Sequence, residues 1–487
     1  MSVAVCVMDL CDIVGPFVYP STWRAFMMPT KRPFWSRSFV ASLRTELAIA
    51  SIRSLALNFG SKLLILAASI LLARWLGADG YGIYASSIAA AVVLGILAQL
   101  GIPTLLIRML PAYEVKHQWA LMRGLLRVAD GTVLGVSLLL AALCALLVFS
   151  LGDRLEDSHR IALYWAVALV PITSLNALRA AALRGLRHVV AGQISETLII
   201  PGCFVAVVSV WWYLGGRFGW TGPLPAIAVA LRVTVTAVAF VIGSRLLAGR
   251  RPPAVRSAIP EYDTRNWIRA AGPLLFLSGS AVVTTQTDVL MLIALKSSES
   301  AGVYQAAARG AELVAFSLFV VSSVVQPTIS RLHTLGDRQH LQTVLTAAAR
   351  LALALSLPVA IVFALFARPI LELVYGPEFE RGAICLVILC GAQIVNVSAG
   401  LVGQILIMTG HVRDAANGMA LAAVTNVVLN AVLIPVWEIE GAAVATGFSL
   451  IVWNVFLAFR VKSRTGLASG VIGGPRSGRP DQGVSVD

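Results

Sequence analysis

The sequence predicts an all-α integral membrane protein with twelve transmembrane helices in two six-helix bundles of like orientation. Three observations carry that expectation. Of 487 residues, 58% are hydrophobic and 13% charged, with a mean hydropathy of +0.83. A soluble domain carries roughly 25% charged residues and needs them to face water. Apolar runs long enough to cross a bilayer recur along the chain, since about 20 helical residues at 1.5 Å each span a core ~30 Å thick. The basic residues then fall mostly on one side of the resulting alternation.

Taken in order, the spans lie near 55–75, 85–107, 128–150, 161–178, 194–213, 224–244, 271–295, 303–327, 351–367, 383–404, 415–435 and 441–459. Pro103, Pro171, Pro201, Pro273 and Pro358 fall inside them. In water they would break helices; in a bundle, neighbours can satisfy the freed carbonyls, so kinks are tolerated. Ser69, Ala73 and Gly77 follow one another at four-residue spacing and predict close helix packing.

With the N-terminus placed in the cytoplasm, the inner segments hold 28 Lys and Arg and the outer segments 7; the other three, Lys62, Arg232 and Arg309, lie inside spans. One missed span would invert every later segment, so the bias predicts an even number of crossings with both termini cytoplasmic. The net charge of +14 is then an orientation signal and an attraction to anionic lipid headgroups, which argues against a nucleic-acid partner. Six cysteines form no C-x-x-C pair and read as free thiols.

These spans divide the chain. Residues 1–50 form an N-terminal cytoplasmic arm in which Asp9 and Asp12 argue against a secretory signal, with Met27 or Met28 as alternative starts. Residues 51–247 form one bundle, 248–269 a basic cytoplasmic linker with Pro252, Pro253 and Pro260, and 270–460 the second bundle. Residues 461–487, rich in Gly, Ser and Arg, read as a disordered cytoplasmic tail. Gly82-Ile83-Tyr84-Ala85 echoes in Gly302-Val303-Tyr304-Gln305-Ala306, an offset of 220 residues and six spans. An even offset implies a parallel repeat with the substrate site between its halves.

Charge inside the membrane carries the chemistry. A charge at the bilayer centre costs about 2.5–3.5 kcal/mol on insertion scales, so one that remains faces a cavity or a partner. Lys62, Arg232 and Arg309 predict a cationic crevice for an anionic cargo such as a diphosphate, which guanidinium forks and ammonium groups both bind. Asp288 lies eight residues before the 296–302 turn and Arg309 seven after it. Matching depth predicts a buried ion pair, with Glu312 competing for the same arginine. An unpaired Asp288 or Glu312 would instead be protonated by burial and could couple transport to a H+ or Na+ gradient; no other cofactor is implied. Asn58, Gln99, Gln286, Asn396, Asn426 and Asn430 are candidate sugar contacts, against interhelical hydrogen bonds of about 0.6 kcal/mol each.

The run Leu72-Ala73-Arg74-Trp75-Leu76-Gly77-Ala78-Asp79-Gly80-Tyr81-Gly82-Ile83-Tyr84 resembles the first periplasmic turn of polysaccharide-transport flippases. These belong to the multidrug/oligosaccharidyl-lipid/polysaccharide flippase superfamily. Matching pieces follow in order from about residue 50 to 460: Thr287-Asp288, Gln326-Pro327-Thr328-Ile329-Ser330-Arg331-Leu332, Tyr375-Gly376-Pro377-Glu378-Phe379, Met408-Thr409-Gly410-His411 and Asn426-x-x-x-Asn430-x-x-x-Ile434-Pro435. The resemblance implies a V-shaped, alternating-access carrier. It also implies movement of a polyprenyl-diphosphate-linked oligosaccharide, such as an O-antigen, lipopolysaccharide or exopolysaccharide unit, across the inner membrane. The cargo would pass from the cytoplasmic to the periplasmic leaflet, beside glycosyltransferases and a polysaccharide polymerase. The same superfamily holds multidrug and organic-cation antiporters, which want anionic or aromatic lining; three intramembrane cations favour an anionic cargo. A membrane glycosyltransferase or polymerase is disfavoured: no metal-ligand cluster, phosphate loop or nucleophile motif is present, and the longest outer loop, 367–382, is short.

Overall fold

The computed structural model describes residues 37–150, 156–218 and 224–471. The expected N-terminal arm up to residue 36, with Met27 and Met28, and the tail beyond 471 lie outside the described residues. All regular structure among the described residues is helical: α1 (Arg37–Gln99), α2 (Ile102–Val115), α3 (Trp119–Ser150), α4 (Asp157–Gly185), α5 (Val189–Ile194), a π-turn (Ser195–Ile199), α6 (Ile200–Phe218), α7 (Leu224–Arg250), α8 (Pro253–Ser257), α9 (Thr264–Leu295), α10 (Ser298–Thr334), α11 (Arg338–Leu365), α12 (Ala367–Tyr375), a 3-10 turn (Pro377–Gly382), α13 (Ala383–Ala399), α14 (Val402–Met408) and α15 (Val412–Thr465). Ten helical runs among the described residues are long and apolar enough to cross a membrane, so this is a multi-pass membrane protein.

Two of the ten runs contain a single non-helical residue. Gly77 interrupts α1 at φ 70° and Glu438 interrupts α15 at φ 47°. Each break falls between two of the spans read from the sequence, so ten runs stand where twelve were expected. Gly77 is therefore a turning residue rather than a packing one: glycine takes a left-handed φ without steric cost, and the Glu378 carboxylate accepts from the next backbone amide, Ala78 N, at 2.7 Å. Ser69 and Ala73 are buried, as close packing requires.

Other boundaries also moved. The second span stops at Gln99, where Leu100 (φ 49°) and Gly101 (φ 74°) break the helix. Pro103 then sits in the first turn of α2, where its missing N–H has no helical partner to lose. Pro171, Pro273 and Pro358 are carried inside continuous helices, and the π-turn before Pro201 re-spaces the carbonyls its ring would meet. The outer loop 367–382 is folded as α12 and the 3-10 turn. α1 begins at Arg37, inside the expected arm. The expected tail is ordered to Val471: α15 runs to Thr465, Ala468 N donates to Gln342 Oε1 at 2.8 Å, and Val471 N donates to Ser398 O at 3.2 Å. That carbonyl ends α13, where helices leave acceptors unfilled.

Packing shows how the halves meet. One core cluster joins both, bringing Leu72, Tyr81 and Phe204 against Tyr304, Phe379 and Ile434. A second cluster, of Leu105, Met122 and Leu183, also reaches the second half, through Trp267 and Ala271 of α9, while a third, of Leu345, Ile405 and Leu457, stays within that half. The halves are thus fused at the end holding the Gly77 and Glu438 turns, and at the basic end they meet again through α2 and α9, where Trp267 Nε1 donates to Tyr113 Oη at 2.9 Å and a Cβ on Gly101 would lie 2.6 Å from Leu275 N. At the fused end a Cβ on Gly82 would lie 1.7 Å from Ser298 O, and one on Gly302 would lie 2.0 Å from Ala78 O. The two contacts are reciprocal at the same 220-residue offset as the sequence echo. The outer face exposes Leu138, Leu146, Phe149, Val432 and Val436, a surface suited to hydrocarbon and not to water.

Candidate functional site

α1 and α10 come from different halves and face each other across the crevice. Arg309 and Glu312 are three residues apart on α10, hence neighbours on its surface, and Arg309 Nη1 lies 2.8 Å from Glu312 Oε1. Lys62 Nζ of α1 lies 3.3 Å from the other carboxylate oxygen, Glu312 Oε2. One carboxylate thus joins two cations from the two halves. The Lys62 and Glu312 side chains are 48% and 41% exposed, so they line an open space rather than a sealed interior. With its amide oxygen turned toward Arg309, Gln305 accepts from Nε and Nη2, both at 3.0 Å. Asn58 stands one turn from Lys62 on α1.

Arg232 of α7 takes a different setting. Its guanidinium lies 5.2 Å over the Phe204 ring, a cation–π contact that holds it without neutralising it. Phe204 stacks on Tyr84 at 6.0 Å and Tyr84 on Tyr81 at 6.4 Å. An aromatic column therefore connects Arg232 to the Gly82 contact. Phe59 and Phe316 meet at 5.1 Å beside Lys62.

The expected Asp288–Arg309 pair is not formed. Asp288 is 4% exposed and is surrounded by neutral donors. Its Oδ2 accepts from Tyr304 Oη and Thr446 Oγ1, each at 2.5 Å; its Oδ1 accepts from Asn426 Nδ2 at 3.0 Å and Asn430 Nδ2 at 2.6 Å. The reason is angular. Tyr304 and Arg309 are five residues apart, about 140° around a helix; the tyrosine meets α9 while the arginine points to α1. Glu312, about 60° from Arg309 by the same count, shares its side and takes its charge.

Asn426 and Asn430 are 0% exposed and committed to Asp288, so they are not sugar contacts here. Asn396 accepts from Asn454 Nδ2 at 3.0 Å and donates to Gln393 Oε1 at 3.2 Å, which is helix-to-helix bonding between α13 and α15. Gln286 meets only Thr285 Oγ1, at 3.5 Å, two residues before Asp288 and so on another side of α9. Gln99 closes α1 outside the charged cluster. The sequence reading missed Tyr304 and Thr446 as partners of Asp288. The echo motif flagged Tyr304; nothing local distinguishes Thr446, which reaches the site only because α15 turns back at Glu438.

Chemically, the crevice can hold an anion between the Lys62 and Arg309 cations, with Glu312 as the internal anion now occupying them. The Asp288 cluster offers carboxylate, amide and hydroxyl oxygens, and Asn430 Oδ1 is buried without a hydrogen-bond partner. No group of three or more His, Cys, Asp or Glu that could hold a metal occurs among the described residues. Cys144, Cys203, Cys385 and Cys390 are free thiols; Cys6 and Cys11 lie outside the described residues.

The chain matches two family profiles. One, described as polysaccharide biosynthesis protein, covers residues 51–333; the other, described as lipid II flippase MurJ, covers residues 226–472. The probable low-salt glycan biosynthesis flippase Agl15 of Haloferax volcanii is 27% identical over 176 residues, 36% of this chain and 37% of that protein. The chain thus spans little more than a third of the length of this curated relative. Among solved structures, the inward closed conformation of the lipid II flippase MurJ aligns with a TM-score of 0.65 and 15% identity, covering 84% of this chain and 87% of that one. The inward-facing conformation of a multidrug resistance MATE family transporter of the MOP superfamily aligns with a TM-score of 0.62 and 15% identity, covering 83% and 95%. At such identity the two structures establish a common fold.

Proposed function

Because the chain belongs to the polysaccharide biosynthesis protein family of flippases, we propose that it carries a lipid-linked saccharide, gripped by its diphosphate, across the inner membrane from the cytoplasmic to the periplasmic leaflet. The single observation behind this reading is that Lys62 and Arg309, from the two halves, meet on one exposed carboxylate. Without cargo, Glu312 keeps the two cations together and solvated. A diphosphate carries more charge and more acceptor oxygens than a carboxylate, so it displaces Glu312 and binds both cations. Arg232, held by an aromatic ring rather than an acid, is a third contact for the same anion. The saccharide then occupies the open part of the crevice, with Asn58 nearest to the charges.

Alternating access requires the contacts at the two ends to open in turn: those of α2 with α9 part to admit cargo, and those around Gly82 and Gly302 part to release it to the far leaflet. On this reading the limbs on both sides of Gly77 and Glu438 are separate crossings, twelve in all, with both termini and the basic segments in the cytoplasm; the bias of Lys and Arg along the sequence supports it. Coupling to a H+ or Na+ gradient runs through Asp288. Its oxygen-rich surroundings, with Asn430 Oδ1 left over, suit a proton or a small hard cation, for which oxygen ligands are preferred. Glycosyltransferases supply the cargo and a polymerase consumes it; the protein itself performs no covalent step. Multidrug antiport is the second reading, favoured by the MATE-like fold and weakened by Glu312 being matched by two cations.

The test is a leaflet-resolved assay of a fluorescent polyprenyl-diphosphate saccharide in proteoliposomes. Lys62→Gln and Arg309→Gln should each cut translocation at least tenfold with normal insertion. Full activity in both, or gradient-driven exchange of an organic cation instead, would refute the proposal.

A further inference from the structure

A second cation-lined space lies away from the crevice. Where the base of α3 meets the connection between the two halves, a cavity of about 240 Å³ is lined by Arg123, Leu126, Arg127, Asp130, Arg251, Val255 and Arg256. Its construction is specific. Arg123 and Arg127 are one turn apart on α3, Arg251 precedes the short α8, and Arg256 lies in its last turn. The connection is fastened across α3: Glu261 N donates to Ala120 O at 3.1 Å, and Arg123 Nη1 donates to Ala258 O at 2.5 Å. Only glycine at 124 allows this, since a Cβ there would lie 1.7 Å from Glu261 O.

The charges in this cavity do not balance. Its one acid, Asp130, is taken by Arg179 of α4 at 2.6 Å, and the Arg179 guanidinium lies over the Phe240 ring at 5.6 Å. Among the described residues, none of the four lining arginines pairs with a carboxylate. Arg123 and Arg256 each give one N–H to a backbone carbonyl, of Ala258 and Ala248, leaving most of their five donors free. Arg251 Nε is buried without a partner, which costs a charged group more than the 1–3 kcal/mol typical of a neutral one. Burial, then the neighbouring charge of Arg179, push the Arg251 guanidinium below its ordinary value, with Asp130 opposing and Arg256 adding to the shift; an anion in the cavity would relieve the repulsion among the arginines.

We infer that this cavity is a binding site for a phosphate-bearing anion, separate from the transport crevice, with the half-buried Arg251 as the central contact and Arg123, Arg127 and Arg256 around it. Tetrahedral oxyanions match guanidinium forks. Two sources share this chemistry: the headgroup of an anionic phospholipid and a soluble phosphate compound. Trp119 at the start of α3, one turn from Arg123, is the kind of residue that marks headgroup depth. Because the ligand would touch both α3 and the connection, it would fasten the joint between the halves.

The experiment follows thermal unfolding of the full chain in detergent, titrated with phosphatidylglycerol, phosphatidylcholine or pyrophosphate. Arg127→Gln/Arg256→Gln, both on exposed side chains, and Arg251→Gln are compared with an Arg338→Gln/Arg413→Gln control at exposed arginines outside both the cavity and the crevice. Stabilisation by phosphatidylglycerol alone identifies a lipid headgroup; stabilisation by pyrophosphate identifies a soluble phosphate. In either case the half-effect concentration should rise about tenfold in the Arg127/Arg256 variant, the scale of one lost charge-assisted bond, and stay unchanged in the control. No anion-specific stabilisation of the native chain, an undiminished response in the Arg127/Arg256 variant, or loss only in the control would overturn the inference. If Arg251→Gln fails to fold, the double variant decides.

Discussion

Adding one methyl group at Gly302 should open the fused end of this protein. In Gly302→Ala the added Cβ would lie 2.0 Å from Ala78 O, while ordinary contact begins at 3.4 Å. The facing helices must therefore part by about 1.4 Å, because the obstructing atom is backbone and cannot swing away. Three further contacts depend on the same separation: Arg74 Nε to Val374 O at 2.8 Å, Glu378 Oε2 to Ala78 N at 2.7 Å, and Ser298 Oγ to Asp79. Overpacking typically costs 1–3 kcal/mol, which lowers the population of the closed end about 5- to 150-fold relative to the open one. Spin labels at Tyr213 and Leu373, both exposed, in a chain cleared of its native cysteines, report the distance across that end. Gly302→Ala should move the distribution toward longer distances, Gly82→Ala should do the same, and transport should fall in both. A native distance distribution and native turnover in both variants would refute the reasoning, since it would mean the two glycines do not set the closure.

Two other substitutions probe the charged sites. Glu312→Gln removes the internal anion from Lys62 and Arg309, so binding of pyrophosphate or lipid diphosphate should tighten several-fold while release and turnover slow; stability should change by only about 0–1 kcal/mol, because the Lys62–Glu312 pair is nearly half exposed. Equal or weaker anion binding, measured by calorimetry, would rule out competition at this carboxylate. Asp288→Asn keeps the shape of the buried cluster but removes its charge, so flipping should lose its dependence on an imposed ion gradient while cargo binding persists; Asp288→Ala should add about 1–3 kcal/mol of destabilisation by stranding four donors. A gradient response unchanged in Asp288→Asn would exclude the site as the point of coupling.

The helical layout was legible because apolar runs and basic segments are properties of consecutive residues. The turns at Gly77 and Glu438 fell where span ends had been drawn, yet Gly101 was missed: Pro103 read as a kink within a span, and nothing local announced that Leu100 and Gly101 adopt positive φ. The charged crevice was half legible. Three residues of spacing made Glu312 a neighbour of Arg309, whereas Lys62 arrives from 250 residues away by packing alone. Asp288 shows the limit most clearly. Depth along a hairpin is set by residue count, but the direction of a side chain around its helix decides the partner, and that direction favoured Tyr304. The order found in residues 466–471 was also hidden, because polar Gly- and Ser-rich sequence resembles disorder until Gln342 and the end of α13 supply its hydrogen bonds.

The reciprocal glycine contacts make one end a pivot: when the contact of α2 with α9 at the other end parts, the halves swing as a pair of tongs. Packed helices sit about 8–10 Å apart at the pivot, whereas a 27-residue arm such as α7 reaches about 40 Å at 1.5 Å per residue. Leverage of roughly fourfold follows from those two lengths, so an atom's width of slack at the pivot becomes several ångströms of jaw movement. Natural variation in how wide the jaws swing should therefore be sought among small residues near the pivot, far from anything the cargo touches.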